Sequence, residues 1–177
     1  MIYKVRVVAW NKLIKTEIYK NHPDARFAVG LRYEDVEGFY KVMPYIKNVA
    51  YVRKCFIHYI QRQGSISNTQ NKRNEDIFVV LDNVINYYKK NNLFDEFKDE
   101  LEYIYARYLL CSSFLRIVKI KDKSIKKELL NKTWENLNKK FPDWKKNKIL
   151  KKNKNMKNLY LRSVNKVTFK IYECILK

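Results

Sequence analysis

The stretch GLRYEDVEGFY, residues 30–40, and the stretch FIHYIQRQGSISN, residues 56–68, decide how this chain is expected to fold. The first stretch contains two adjacent carboxylates, Glu34 and Asp35, and the second has the composition of a basic, serine-containing turn. Glycine tolerates positive φ and lets a ligand approach the backbone closely, so clustered glycines mark sharp turns or open space. The glycines of the chain all lie in these two stretches: Gly30, Gly38 and Gly64.

Around these stretches, the first part of the chain alternates between strand and helix patterns. A helix is predicted from about residue 34, because apolar side chains recur at the i, i+3, i+4 and i+7 positions of one helix face. These side chains are Val36, Phe39, Tyr40, Met43, and Ile46 or Tyr45. Runs rich in β-branched and aromatic residues predict three strands, at residues 3–9, 49–52 and 56–60. We therefore expect an α/β domain over residues 1–70 and a helical region over residues 71–177.

The helical region carries apolar stripes of helical period and contains no glycine. Two stripes predict helices over residues 77–88 and 94–108. A third helix is predicted to begin near Ser124, a suitable N-cap, and to end before Pro142. A basic linker near residues 145–158 is then expected to precede a last amphipathic segment.

The formal net charge of +20 is concentrated in the second half of the chain. Residues 119–157 contain 15 lysines, 4 carboxylates and no arginine, which leaves a difference of +11. Such a basic surface fits three interpretations: a solvated face without a partner, a surface that contacts anionic membrane, or a nucleic-acid binder. Specific readout of phosphates and bases relies on the paired donors of arginine, so we expect no specific nucleic-acid partner.

The cysteines and the hydropathy pattern predict a location. The chain has three cysteines at wide spacing and no C-x-x-C pair, which disfavours a disulfide framework or a structural zinc site. Free cysteines are typical of a reducing cytosol. No run of 18 apolar residues and no signal-peptide pattern is visible. These features predict a cytoplasmic protein, with peripheral contact at the inner face of the cell membrane as a further option.

Four motifs follow one another along the chain: AWNKL (residues 9–13), FAVGLRYEDVEGFY (27–40), HYIQRQGSIS (58–67) and ELEYIYARYLL (100–110). This ordered set resembles the C-terminal half of bacterial glycosyltransferase family 2 enzymes, which have the GT-A fold. Many of those enzymes act in the synthesis of capsule, teichoic acid or other surface polysaccharides. The resemblance implies that the chain is the C-terminal half of a GT-A domain followed by a helical C-terminal extension.

The resemblance also implies a reaction, the inverting transfer of a sugar from a nucleotide diphosphate donor to a saccharide acceptor. An acceptor hydroxyl is a poor nucleophile, and it needs a carboxylate base within hydrogen-bond reach. By its place in the family motif, Asp35 would be that base, and Glu34 would position the acceptor or raise the pKa of its neighbour. Without the flanking motifs, the favoured interpretation is that Glu34, Asp35 and Glu37 only complement the positive N-terminal end of the helix that they begin.

Five further residues are predicted from the resemblance to bind substrate. Trp10, Asn11 and Lys12 would lie on the acceptor side, where an indole can stack on a sugar ring and an amide can fix hydroxyls. Arg62 and Ser65 fall in the turn that would close over donor or acceptor, and a guanidinium suits a diphosphate. The alternatives are that Trp10 belongs to the core and that the turn is an exposed hairpin.

The chain departs from the family pattern in one large respect. Family members hold a divalent metal, Mg²⁺ or Mn²⁺, on the donor diphosphate with a D-x-D motif, and no D-x-D occurs here. We therefore expect an N-terminally truncated family member that binds no metal by itself and lacks activity alone. The alternative is a non-catalytic, basic accessory module that binds an anionic membrane surface or partner.

Overall fold

The computed structural model describes residues 2–60, 65 and 68–175. Within this part of the chain, short 3₁₀ turns connect nine α-helices. The helices are α1 (Thr16–Asn21), α2 (Glu34–Val42), α3 (Asp76–Lys90), α4 (Phe94–Arg107), α5 (Phe114–Ile117), α6 (Lys123–Lys140), α7 (Lys148–Lys152), α8 (Met156–Ser163) and α9 (Lys166–Ile175). A π-helical turn, Tyr108–Ser113, joins α4 to α5.

The expected α/β fold, the C-terminal half of a GT-A domain, is wrong. No β-strand occurs anywhere in residues 2–60, 65 and 68–175, so the described fold is all-helical. A strand is stable only when its backbone groups pair with a neighbouring strand, and the predicted strand at residues 49–52 has no such neighbour. Residues 47–60 are exposed and form neither helix nor strand. The predicted strand at residues 3–9 begins as a 3₁₀ turn.

That 3₁₀ turn, Ile2–Lys4, belongs to the helical core. The ring of Tyr3 packs edge-on against the ring of Tyr103 in α4, with 5.1 Å between the centroids. The guanidinium of Arg107 donates a hydrogen bond of 3.0 Å to the Tyr3 carbonyl. Tyr3, the first residue of the predicted strand, is therefore buried against α4.

Helices α3 and α4 form the centre of the core, and α2 packs on α3. The hydroxyl of Tyr88 in α3 donates a buried hydrogen bond of 2.8 Å to the Tyr40 carbonyl in α2. The buried carboxylate of Glu37 accepts hydrogen bonds from Lys41, at 2.6 Å, and from Asn83 of α3, at 2.9 Å. These polar contacts fix the register of α2 on α3, and α2 is the element that carries the acidic pair.

The helices predicted from apolar periodicity are confirmed. Helix α2 begins at Glu34, and α3, α4 and α6 cover the three stripes. The N-cap of α6 is Asp122 rather than Ser124, because the Asp122 carboxylate accepts hydrogen bonds from the backbone N–H groups of Ser124 and Ile125.

The region expected as a basic linker, near residues 145–158, contains helix α7 and the start of α8. The asparagines of this region account for the difference, because their side chains accept hydrogen bonds from the unpaired backbone N–H groups at the N-termini of helices. Asn147 caps α7 and Asn155 caps α8, each through a side-chain oxygen that accepts backbone N–H bonds. The same segment buries Asn147, Leu150 and Asn158, so it is part of the packed structure.

One glycine has a packing role that predicts the effect of its substitution. Gly38 lies in α2 beneath the ring of Phe27, and a Cβ at this position would meet the Phe27 Cγ at 2.8 Å. Alanine in a helix ordinarily stabilises by about 1 kcal/mol relative to glycine, but overpacking costs about 1–3 kcal/mol. We expect Gly38→Ala to lower the free energy of unfolding by about 1 kcal/mol in urea denaturation.

The control is to measure the same substitution, Gly38→Ala, in a protein that already carries Phe27→Ala. Without the ring, the contact is absent, and Gly38→Ala should then stabilise the protein through helix propensity alone. If Gly38→Ala stabilised the chain equally with and without Phe27, the close packing of ring on glycine would be excluded.

Candidate active site

The acidic pair begins α2 directly after a sharp turn. Tyr33, the residue before Glu34, has φ 65°, in the left-handed region that non-glycine residues rarely occupy. Strained backbone of this kind persists only where surrounding contacts enforce it. The turn is held by Arg32, whose backbone N–H donates to the Asp76 carboxylate at 2.9 Å and whose side chain donates to the Thr69 carbonyl at 2.9 Å.

Asp35 is half-buried, whereas Glu34 is exposed. One carboxylate oxygen of Asp35 accepts a hydrogen bond of 2.8 Å from the backbone N–H of Val36. Burial, and then the neighbouring Glu34 charge, raise the pKa of Asp35 above its ordinary value, and that backbone bond and Arg116 oppose the rise only in part. A carboxylate whose pKa is raised by burial is a better proton acceptor than a solvated one.

Lys12 joins the N-terminal segment to α2 beside this carboxylate. Its ammonium lies 4.5 Å from the ring centroid of Phe39. Burial and the charge of Arg6 lower the pKa of Lys12, while the negative charge of Asp35 acts in the opposite direction. The ammonium also donates to the Asn11 side chain at 2.5 Å and to the Val8 carbonyl at 3.1 Å. Lys12 therefore links the 3₁₀ turn Ala9–Asn11 to α2 at Phe39, where the charge of Asp35 acts on the ammonium.

Trp10 and Asn11, in that 3₁₀ turn, are exposed. The indole of Trp10 stacks on the ring of Tyr59, with 5.6 Å between centroids and 13° between planes. Both rings remain open to solvent, with 42% of Trp10 and 56% of Tyr59 exposed. The alternative placement of Trp10 in the core is therefore wrong, and two stacked aromatic rings form an open surface.

Arg116 of α5 was not predicted from sequence, and it lies near the pair. Its guanidinium is 5.1 Å from the ring centroid of Tyr33, and its charge opposes the rise in the pKa of Asp35. The Tyr33 hydroxyl is buried and has no hydrogen-bond partner within the described part of the chain. No local sequence signal marks Arg116, because its role depends on a contact with Tyr33, which is distant in the sequence.

The turn expected to close over substrate is described only in part. Arg62 and Gly64 lie outside the described residues. The Ser65 carbonyl accepts hydrogen bonds from the backbone N–H groups of Asn68, at 2.9 Å, and Thr69, at 3.1 Å. Substrate binding by Arg62 and Ser65 stays a prediction.

The carboxylates of this site do not form the set of ligands that a divalent metal needs. Within residues 2–60, 65 and 68–175, no group of three or more His, Cys, Asp or Glu side chains could hold a metal ion. Glu34 and Asp35 alone do not supply the oxygen ligands that Mg²⁺ or Mn²⁺ requires.

Comparison with models of known protein families, with curated proteins and with solved structures finds no match to this chain. In the described residues, the helices are too short or too polar for any of them to cross a membrane.

Proposed function

We propose that the chain binds a saccharide acceptor beside the start of α2, and that Asp35 accepts the proton of its hydroxyl during sugar transfer from a nucleotide diphosphate donor. The observation that carries this proposal is the convergence of three sequence-distant motifs. Lys12 brings the Trp10 turn against α2, Trp10 stacks on Tyr59, and Asp35 lies within the electrostatic reach of Lys12.

The chemistry of the transfer balances with one base and one leaving group. The acceptor oxygen forms a bond to the anomeric carbon as its proton passes to the Asp35 carboxylate. The bond between the anomeric carbon and the phosphate oxygen breaks, and the electron pair leaves with the nucleoside diphosphate. Attack opposite the leaving group inverts the anomeric centre. Glu34 is proposed to accept a hydrogen bond from a second acceptor hydroxyl and so to orient the sugar.

An aromatic surface beside a carboxylate pair suits a saccharide for physical reasons. The C–H faces of a sugar ring pack well on an indole, and the exposed amide of Asn11 can both donate to and accept from hydroxyls. Carboxylates accept hydrogen bonds from several hydroxyls at once. The role in cell-surface polysaccharide synthesis rests on the motif resemblance described above.

Substitution of Trp10 tests acceptor binding. We expect the purified chain to bind oligosaccharides on a glycan array and Trp10→Ala to weaken that binding about tenfold, the loss of one stacking surface. Saturation-transfer NMR with the best-bound glycan gives the affinity. Tyr51→Ala, which removes another exposed aromatic ring, is the matched control and should bind as the unmodified chain does. Failure of the unmodified chain to bind any saccharide, or equal binding by Trp10→Ala, would contradict the proposal.

A further inference from the structure

The last described helix, α9, has two apolar faces, and only one of them is covered by the protein. Phe169 is buried, and its ring packs on Phe114, with 4.8 Å between centroids, and on Trp134, with 5.6 Å. The ring of Tyr172 contacts that of Tyr160 in α8 at 5.0 Å. These contacts hold α9 on the folded body and determine which face points outward.

The outward face carries an apolar stripe, which we call the α9 stripe: Val167, Ile171 and Ile175. Their side chains are 67%, 49% and 69% exposed, and their i, i+4, i+8 spacing places them along one face of the helix. Isolated exposed apolar side chains are common, but a continuous stripe on a preformed helix marks a surface for a partner.

Lysines border this stripe. Lys166 and Lys170 each precede a stripe residue by one position, which places them about 100° around the helix, at one edge of the stripe. Residues 144–175 contain nine lysines, one arginine and a single carboxylate, Glu173, a formal net charge of +9. The partner that complements the stripe and its two bordering lysines is therefore anionic and accepts apolar side chains.

We propose that the α9 stripe and its lysines dock on the surface of an anionic lipid bilayer. A helix with this pattern lies in the plane of the interface, where apolar side chains enter the boundary of the acyl chains and lysines contact the headgroups. A second copy of the chain is disfavoured as the occupant, because two surfaces of the same high positive charge repel each other. Nucleic acid matches the charge but offers no apolar layer for the stripe.

Docking of α9 on a bilayer would determine where the protein acts, and it is independent of the transfer reaction. The docking surface itself requires only the charge and exposure of α9.

Vesicle co-sedimentation tests the proposal. We expect the full chain to bind vesicles of phosphatidylcholine with about 30 mol % phosphatidylglycerol, and to bind pure phosphatidylcholine vesicles far more weakly. Lys166→Gln/Lys170→Gln should weaken the binding about 30-fold, since each lysine near an anionic surface contributes about fivefold. Val167→Asn/Ile171→Asn should also weaken it at least tenfold, through loss of buried apolar area.

Two control variants distinguish docking through α9 from unspecific binding through net charge or through exposed apolar side chains. Lys20→Gln/Lys98→Gln makes the same change in net charge at exposed positions on α1 and α4, and Val79→Asn/Leu115→Asn makes the same apolar change on α3 and α5. Both control variants should bind vesicles as the unmodified chain does, and circular dichroism should show equal helix content in all variants.

Four outcomes would overturn the proposal. The first is equal binding to zwitterionic and anionic vesicles, and the second is an equal loss in the control variants. The third is full vesicle affinity in Val167→Asn/Ile171→Asn together with weaker binding in Lys166→Gln/Lys170→Gln and in Lys20→Gln/Lys98→Gln. Binding would then come from unspecific charge. Tight retention on duplex DNA at physiological salt, with no vesicle binding, would assign the surface to nucleic acid instead.

Discussion

Asp35→Asn is expected to reduce sugar transfer by a factor of about 10²–10⁴ while saccharide binding stays unchanged, because the amide keeps the shape of the carboxylate but cannot accept the proton. The variant is best introduced into the gene in the cells that make the protein, so that whatever partners the reaction uses are present. Surface polysaccharide, measured per cell, then reports transfer, and the glycan array reports acceptor binding by the purified variant.

Asp95→Asn is the matched control for that experiment. Asp95 is an exposed carboxylate in the first turn of α4, as Asp35 lies in the first turn of α2. If both aspartates only complement the positive ends of their helices, the two variants should behave alike. Normal polysaccharide in the Asp35→Asn cells, or an equal defect in the Asp95→Asn cells, would remove Asp35 from the role of base.

The stability of the same variant gives a second, independent readout. The pKa of Asp35 is raised in the folded protein, mainly by burial, so the folded state holds the proton more tightly than the unfolded state. Ionisation of Asp35 therefore costs stability as pH rises through its raised pKa, and this cost is absent below the ordinary aspartate range. We expect Asp35→Asn to be more stable than the unmodified chain near pH 7, and we expect this gain to disappear in acid.

The helices of this fold could be predicted from the sequence because their signal is local. The periodic stripes of α3 and α4 bury one face each, and the observed burial follows them: Ile77, Val80, Leu81, Val84, Leu101 and Ile104. The start of α2 was also predictable, since three carboxylates lie in its first turn. Neither feature depends on which distant segment the helix packs against.

The prediction of strands is wrong because a strand is stable only when it pairs with an adjacent strand. Residues 49–52 and 56–60 have strand-like composition, but composition supplies no partner strand. Their apolar side chains stay exposed in a segment without helix or strand. The candidate site shows the same limit. The acidic pair and Trp10 could be selected from sequence, whereas Arg116 and the stack of Trp10 on Tyr59 depend on contacts between distant segments.

The prediction of a linker near residues 145–158 is wrong for a different reason. Asparagine occurs both in loops and at helix caps. Exposed asparagines are typical of loops, but here their side chains cap helices or satisfy buried carbonyls. Asn158 is the extreme case, because it is fully buried and uses both ends of its amide. Its substitution provides the most demanding test of how this segment is folded.

We expect Asn158→Ala to lower the free energy of unfolding by about 2–4 kcal/mol, since it leaves several buried polar groups without partners. The Asn158 oxygen accepts a hydrogen bond of 2.8 Å from the Tyr103 hydroxyl in α4. Its amide nitrogen donates to the carbonyls of Asn153, at 3.0 Å, and of Ile149 and Leu150, both at 3.4 Å. The Asn158 side chain thus connects the end of α7 and the start of α8 to α4 by hydrogen bonds.

Asn165→Ala is the matched control for the Asn158 variant, because it makes the same substitution at an exposed helix cap. The Asn165 side chain accepts bonds from the N–H groups of Val167 and Thr168, and losing such a cap costs about 1 kcal/mol. In urea denaturation, Asn158→Ala should therefore cost at least twice as much as Asn165→Ala. Tyr103→Phe should cost less than Asn158→Ala, and the two losses should add incompletely in the double variant because they share one hydrogen bond. Equal costs for Asn158→Ala and Asn165→Ala would mean that residues 145–158 are a solvated linker after all.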